Sequence, residues 1–131
     1  MNRRTCLTTM LTGAAALATL KAQNAGRPIQ LHVDMPVDPA KEADMLRMFE
    51  RDFRPIASKQ PGFIDLRMLK LSATMMGQPP GAGINYRFVL TFESEALRQK
   101  WIASDAHQKV WPPLEATMTT KDYQVLLWDV Y

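Results

Sequence analysis

Four segments of this 131-residue chain alternate apolar and polar residues with a period of two. Two others repeat apolar residues at helical spacing, and Pro- and Gly-containing turns separate the segments. In the order strand, helix, strand, strand, helix, strand, these patterns predict an α+β domain: one four-stranded antiparallel sheet with its helices on one face. The length suits a single sizeable core rather than two. A hydrophobic share of 47% with 22% charged residues is ordinary globular composition.

The elements begin only after the first two dozen residues. Arg3 and Arg4 precede a charge-free run of 14 residues, 7–20 (LTTMLTGAAALATL), followed by Lys21, Ala22 and Gln23. A basic start, a short apolar run and small residues after it predict an export signal over residues 1–25, cleaved near Ala22 or Ala25. The run is shorter than the roughly 20 residues of a spanning helix, so no stable membrane anchor is expected. The Arg pair resembles a twin-arginine signal, with Cys6 where Phe or Leu is usual; an ordinary Sec signal is the alternative, and either exports the protein to the periplasm or medium. Without Arg3, Arg4 and Lys21, 13 basic residues face 13 acidic ones. The net +3 therefore belongs to the signal, and a nucleic-acid partner loses its electrostatic basis. The only cysteine, Cys6, is removed with it, so residues 26–131 form a domain without disulfides.

Residues 29–35 (IQLHVDM) place Ile29, Leu31, Val33 and Met35 on one face of a first strand and Gln30, His32 and Asp34 on the other. Asp38 followed by Pro39 is a helix start, a capping carboxylate before a proline at the first position. Met45, Leu46, Phe49, Phe53 and Ile56 then form the helix's apolar stripe, and Pro55 is expected to kink or end it. Pro61-Gly62 turns the chain into a second strand, 63–71, and residues 73–83 (ATMMGQPPGAG) make a long hairpin loop. The third strand, 85–93, carries Tyr86, Phe88, Leu90 and Phe92 on one face. Ser94 caps a helix with Leu97, Trp101 and Ile102; Asp105 restarts a second helical segment through Val110 and Trp111 that Pro112-Pro113 should stop. Residues 123–130 (YQVLLWDV) complete the sheet.

This order predicts the ferredoxin-like split-βαβ arrangement. Its second sheet face mixes His32, Asp34, Asp65, Arg67, Asn85 and Arg87 with Leu69, Val89 and Val125, and a second copy packed sheet to sheet would cover it. A homodimer is the expected assembly.

The pattern resembles the antibiotic-biosynthesis-monooxygenase-like members of the dimeric α+β barrel superfamily over nearly all of the chain after the signal. The resemblance is carried by LHVDMPVDPAKEADMLRMFERDF, by the Pro61-Gly62-Phe63 turn and by FVLTFESEALRQKWIASDAHQKVW, with Trp101-x-x-Ser104-x-x-His107 its most specific part. It implies a cofactor-independent monooxygenase acting on a quinol or other phenolic aromatic, with no metal and no bound cofactor. The alternative within the same fold is a non-catalytic ligand-binding or stress-related dimer.

On that reading His107 is the base that takes a phenolic proton, and Arg87, or else Arg67 or Asn85, stabilises the phenolate. Alternation nevertheless sets these three opposite Tyr86 and Phe88. Trp101, Trp111, Phe49, Tyr86 and Phe88 would line an aromatic pocket; core packing is the plain alternative for the tryptophans, and a cap beside Asp105 the plain one for His107. His32 belongs to the dimer face. Haem-degrading relatives use an Asn on the first strand and a ligating His ten residues beyond the Trp. Here those positions fall near Val33 and on Trp111, and an indole does not replace an imidazole on iron.

Overall fold

The computed structural model describes residues 27–131, so the export signal expected over residues 1–25 lies outside the described residues. Four strands, β1 (Ile29–Met35), β2 (Phe63–Lys70), β3 (Tyr86–Phe92) and β4 (Gln124–Asp129), form one sheet in the order β2-β3-β1-β4. Every neighbouring pair is antiparallel. A helical run, α1, joins β1 to β2; α2 (Glu95–Ala103) and α3 (Asp105–Glu115) join β3 to β4. This is the α+β ferredoxin-like fold that the segment order predicts.

α1 is built from four contiguous pieces: a 3-10 turn at Pro39–Lys41, an α-helix at Glu42–Met48, a π-turn at Phe49–Phe53 and a last α-turn at Arg54–Ala57. Asp38 caps it as expected, accepting from the Ala40 N–H at 2.9 Å. The buried stripe is Met45, Phe49, Phe53 and Ala57, spaced by four throughout, whereas Leu46 is 38% exposed and Ile56 only partly buried. Four residues overshoot one α-turn by about 40°, so three such steps in a regular α-helix would drift by roughly 120°. The wider π-turn absorbs that drift and keeps all four side chains over the sheet. It also leads directly into Pro55, whose missing N–H and bulky ring the loosened ladder accommodates; the helix ends two residues later, at Ala57.

The core lies between helices and sheet, where α1 and Trp101, Val110 and Leu114 meet Val33, Leu66, Phe88, Leu90 and Phe92. Gly62 fastens the entry to β2 against α2: its φ is +87°, and an added Cβ would lie 2.5 Å from Leu97 Cδ1.

Three expectations need correction. Pro112 and Pro113 do not stop α3, which runs to Glu115. They forfeit two ladder bonds, yet their backbone angle suits the last turn, the Pro112 carbonyl accepts from Ala116 N–H at 2.9 Å, and buried Leu114 anchors that turn. Val125 is not on the open face. It pairs with Val33 and so faces the helices, while Leu126 and Trp128 point away. Both faces of β4 are apolar, so alternation alone leaves its phase open; the register with β1 decides it. Asn85 is likewise not an open-face strand residue. It precedes β3 and grips Val37, accepting from its N–H at 2.9 Å and donating to its carbonyl at 2.8 Å.

Candidate functional site

A cavity of about 160 Å³ opens between the sheet and the second helical unit. The sheet contributes Leu31, Val33, Phe88, Leu90 and Val125; Phe53 reaches in from α1, Arg98, Trp101 and Ile102 from α2, His107 and Trp111 from α3, and Tyr123 from the approach to β4. Aromatic edges set its shape. Phe53 meets Phe88 with centroids 5.3 Å apart and Trp101 at 5.9 Å, both nearly perpendicular.

One serine sets the angle of the site. Ser104 has extended backbone, ending α2 and beginning α3. Its hydroxyl donates to the Trp101 carbonyl at 2.6 Å and accepts from the His107 N–H at 3.2 Å, so the same oxygen closes one helix and caps the next. Trp101, Ser104 and His107 thereby become a rigid corner. The His107 ring lies perpendicular to the Trp101 indole at 5.1 Å and near-parallel to that of Trp111 at 6.3 Å.

His107 Nδ1 is buried and has no hydrogen-bond partner among the described residues. Buried polar atoms are normally paired, so this nitrogen is an exception on a residue that lines the cavity. Burial first, and the Arg98 charge second, hold the imidazole below its usual 6.5, keeping it neutral and able to accept a proton near pH 7. Arg98, only 8% exposed, donates through Nε to Glu95 Oε2 at 2.7 Å. Tyr123 donates to Glu115 at 2.6 Å; burial and that carboxylate push its phenol up to about 12, which leaves it a neutral hydrogen-bonding group.

The fold brings His107, Trp101, Trp111 and Phe88 to this cavity. Phe49 stands behind it, packed on Phe53 and Phe88. Tyr86 is elsewhere: its hydroxyl donates to Glu42, which also receives Lys70, and its phenol is pushed up to about 12 by burial and by Glu42. Arg87 lies on the opposite sheet face, where its Nε donates to the buried Asp34 carboxylate at 2.7 Å. Within the chain the sheet itself separates Arg87 from His107. Phe53, Arg98 and Tyr123 are cavity residues that the sequence reading passed over. Arg98 was detectable, since with Trp101 and Ile102 it falls at i, i+3 and i+4 on an otherwise apolar helix face. Val33 and Trp111, the positions compared above with a haem site, both line the cavity. Among the described residues no three His, Cys, Asp or Glu side chains gather to hold a metal ion, and no helix is long and apolar enough to cross a membrane.

No family model matches the chain, and no curated protein matches it. Solved structures do. A Caulobacter crescentus CB15 protein named as a candidate antibiotic biosynthesis monooxygenase is 15% identical, with a TM-score of 0.64 over 86% of this chain and 98% of its own. A variant of SnoaB, a cofactor-independent oxygenase from Streptomyces nogalater, is 15% identical, with a TM-score of 0.61 over 80% of this chain and 93% of its own. A dimeric ferredoxin-like protein of unknown function from Jannaschia sp. CCS1 is 17% identical, with a TM-score of 0.62 over 79% of this chain and 98% of its own. At these identities the likeness is one of fold.

Proposed function

We propose that the chain is a cofactor-independent monooxygenase that oxidises a quinol-type phenol in the aromatic cavity, with His107 as its base. The orphaned Nδ1 of His107 carries this reading. In the Nε2–H tautomer Nδ1 carries the lone pair that takes the phenolic proton; because the atom is buried, the ring must turn toward the cavity to do so, pivoting between Trp101 and Trp111. The resulting phenolate is electron-rich enough to pass an electron to dioxygen itself. Recombination and loss of water then convert a hydroquinone and O₂ into a hydroxyquinone and H₂O, one oxygen atom going to each product. A phenol near 10 and an imidazole below 6.5 make the proton transfer uphill by more than ~3.5 pK units, about 5 kcal/mol, so a cation beside the phenolate is required. Arg87 cannot reach this cavity within its own protomer.

The proposal includes a homodimer. On the open face Leu69, Val89 and Leu126 flank the Asp34–Arg87 pair and Trp128 lies further along β4, opposite Gln30; Leu69 is 47% and Trp128 51% exposed, and a second sheet would cover them. That the similar Jannaschia protein is dimeric supports pairing of two copies.

The test is oxygen consumption by purified protein with hydroquinone as substrate. Uptake should occur with stoichiometric hydroxyquinone formation and fall by ~10²-fold or more in His107→Ala. Absence of uptake across hydroquinone, naphthoquinol and anthrone would leave the non-catalytic binding protein as the reading.

A further inference from the structure

We infer that the cavity selects a single aromatic ring bearing one acidic oxygen, with Arg98 as the residue that holds the charge; this rests on reading the cavity as a substrate site. Size is the first observation. About 160 Å³ is available, close to the ~150 Å³ of an engineered apolar cavity that takes up benzene. A fused second ring cannot be seated inward without displacing Phe53, Phe88 or Trp101, which brace one another edge to face from three different elements, and would have to project through the open side beside exposed Val125, losing contact with the aromatic wall.

Charge is the second. Glu95 and Arg98 could form the same i, i+3 pair in water at no desolvation cost, yet the Arg98 side chain is only 10% exposed and lines an aromatic cavity. Nε and Nη2 both serve Glu95, whereas Nη1 donates to no group among the described residues. A guanidinium has five N–H donors and one carboxylate does not use them all. An anionic oxygen entering between Arg98 and His107 would take the remainder. Arg98 also acts on His107 through its charge, so the two are within electrostatic reach of one another. Because Glu95 neutralises Arg98 at a distance, the ligand's oxygen must touch the guanidinium to be held. That favours one acidic group at one edge of the ring over a multiply charged ligand.

Calorimetric titration of the full chain with benzoate, benzamide and 9-anthroate tests this without any need for turnover. Benzoate should bind at least tenfold more tightly than its neutral isostere benzamide, and 9-anthroate at least tenfold more weakly than benzoate. In Arg98→Met the preference for benzoate over benzamide should vanish while benzamide affinity holds. The double variant Glu95→Gln with Arg98→Met leaves no unpaired buried charge, and supplies the same comparison if the single variant does not fold. Equal binding of benzoate and benzamide, tight binding of 9-anthroate, or a tenfold preference surviving the loss of Arg98 would each overturn the inference. Benzoate selectivity without hydroquinone oxidation would instead defeat the monooxygenase proposal alone.

Discussion

Replacing His107 by phenylalanine should make the protein more stable and inactive at once. Phenylalanine keeps a planar ring against Trp101 and Trp111 and removes the one buried side-chain nitrogen or oxygen that has no partner among the described residues. Leaving such an atom unpaired costs ~1–3 kcal/mol. The rest of the imidazole is only half-buried, so the low end applies, about 1 kcal/mol, or roughly 4–8 °C in Tm for a domain of this size. The gain should depend on pH. Burial and Arg98 lower the folded-state pKa of His107 below the unfolded 6.5, so the unfolded chain takes up the proton first as pH falls. The wild type's contribution from neutral His107 is complete above 6.5 and is lost as pH drops through the folded value. The variant has no such loss, so its advantage should widen between pH 7.5 and 5. His32 is lowered as well, by burial and then Arg87 against the opposing pull of Asp34, and this remains in both proteins. Urea denaturation at several pH values measures the difference. A variant less stable at pH 7.5, or one whose advantage is the same at both pH values, would refute the reasoning.

Trp101→Ala should cost roughly 3–5 kcal/mol, because the indole is 2% exposed and in contact with Phe53 and His107, and it should abolish ligand binding as well. Gly62→Ala should cost more than about 1 kcal/mol by urea denaturation, since a left-handed backbone and the Leu97 side chain both oppose the new Cβ. Trp128→Glu should convert a dimer into a monomer in sedimentation; a wild type that is monomeric at micromolar concentration would remove the open-face pairing. N-terminal sequencing of exported protein should find a start near Gln23 or Gly26, and an intact Met1 would contradict the signal.

Strand and helix order could be read from the chain because period-two alternation and capping residues are local properties. Asp38 and Ser94 cap where their neighbours said they would. What the sequence left open depended on register. Nothing local tells whether Val125 or Leu126 faces the helices when both are apolar; hydrogen bonding to β1 settles it. The site divided along the same line. Trp101, Trp111 and His107 line one cavity because ten- and four-residue spacings bring them to the same side of the α2–α3 corner. Arg87 was set on the wrong side of the sheet for this cavity, as its alternation with Phe88 already warned. Phe53 arrives through the π-turn, whose only trace in the sequence is a buried repeat of four rather than of three and four mixed.

That π-turn has a consequence for the chain's history of insertions and deletions. α1 contains one residue more than a regular helix would need to carry Met45 and Ala57 over the same sheet. Glu50, Arg51 and Asp52, the solvent-side residues of the turn, are therefore where a single-codon deletion should leave both flanks wound. Such a shortened chain would retain its helix and its core, with Phe53 three positions after Phe49 instead of four and still facing the sheet and the cavity. Relatives with and without the extra residue would superpose well in space, while a gapless comparison of their sequences would set everything after Phe53 one position out of step.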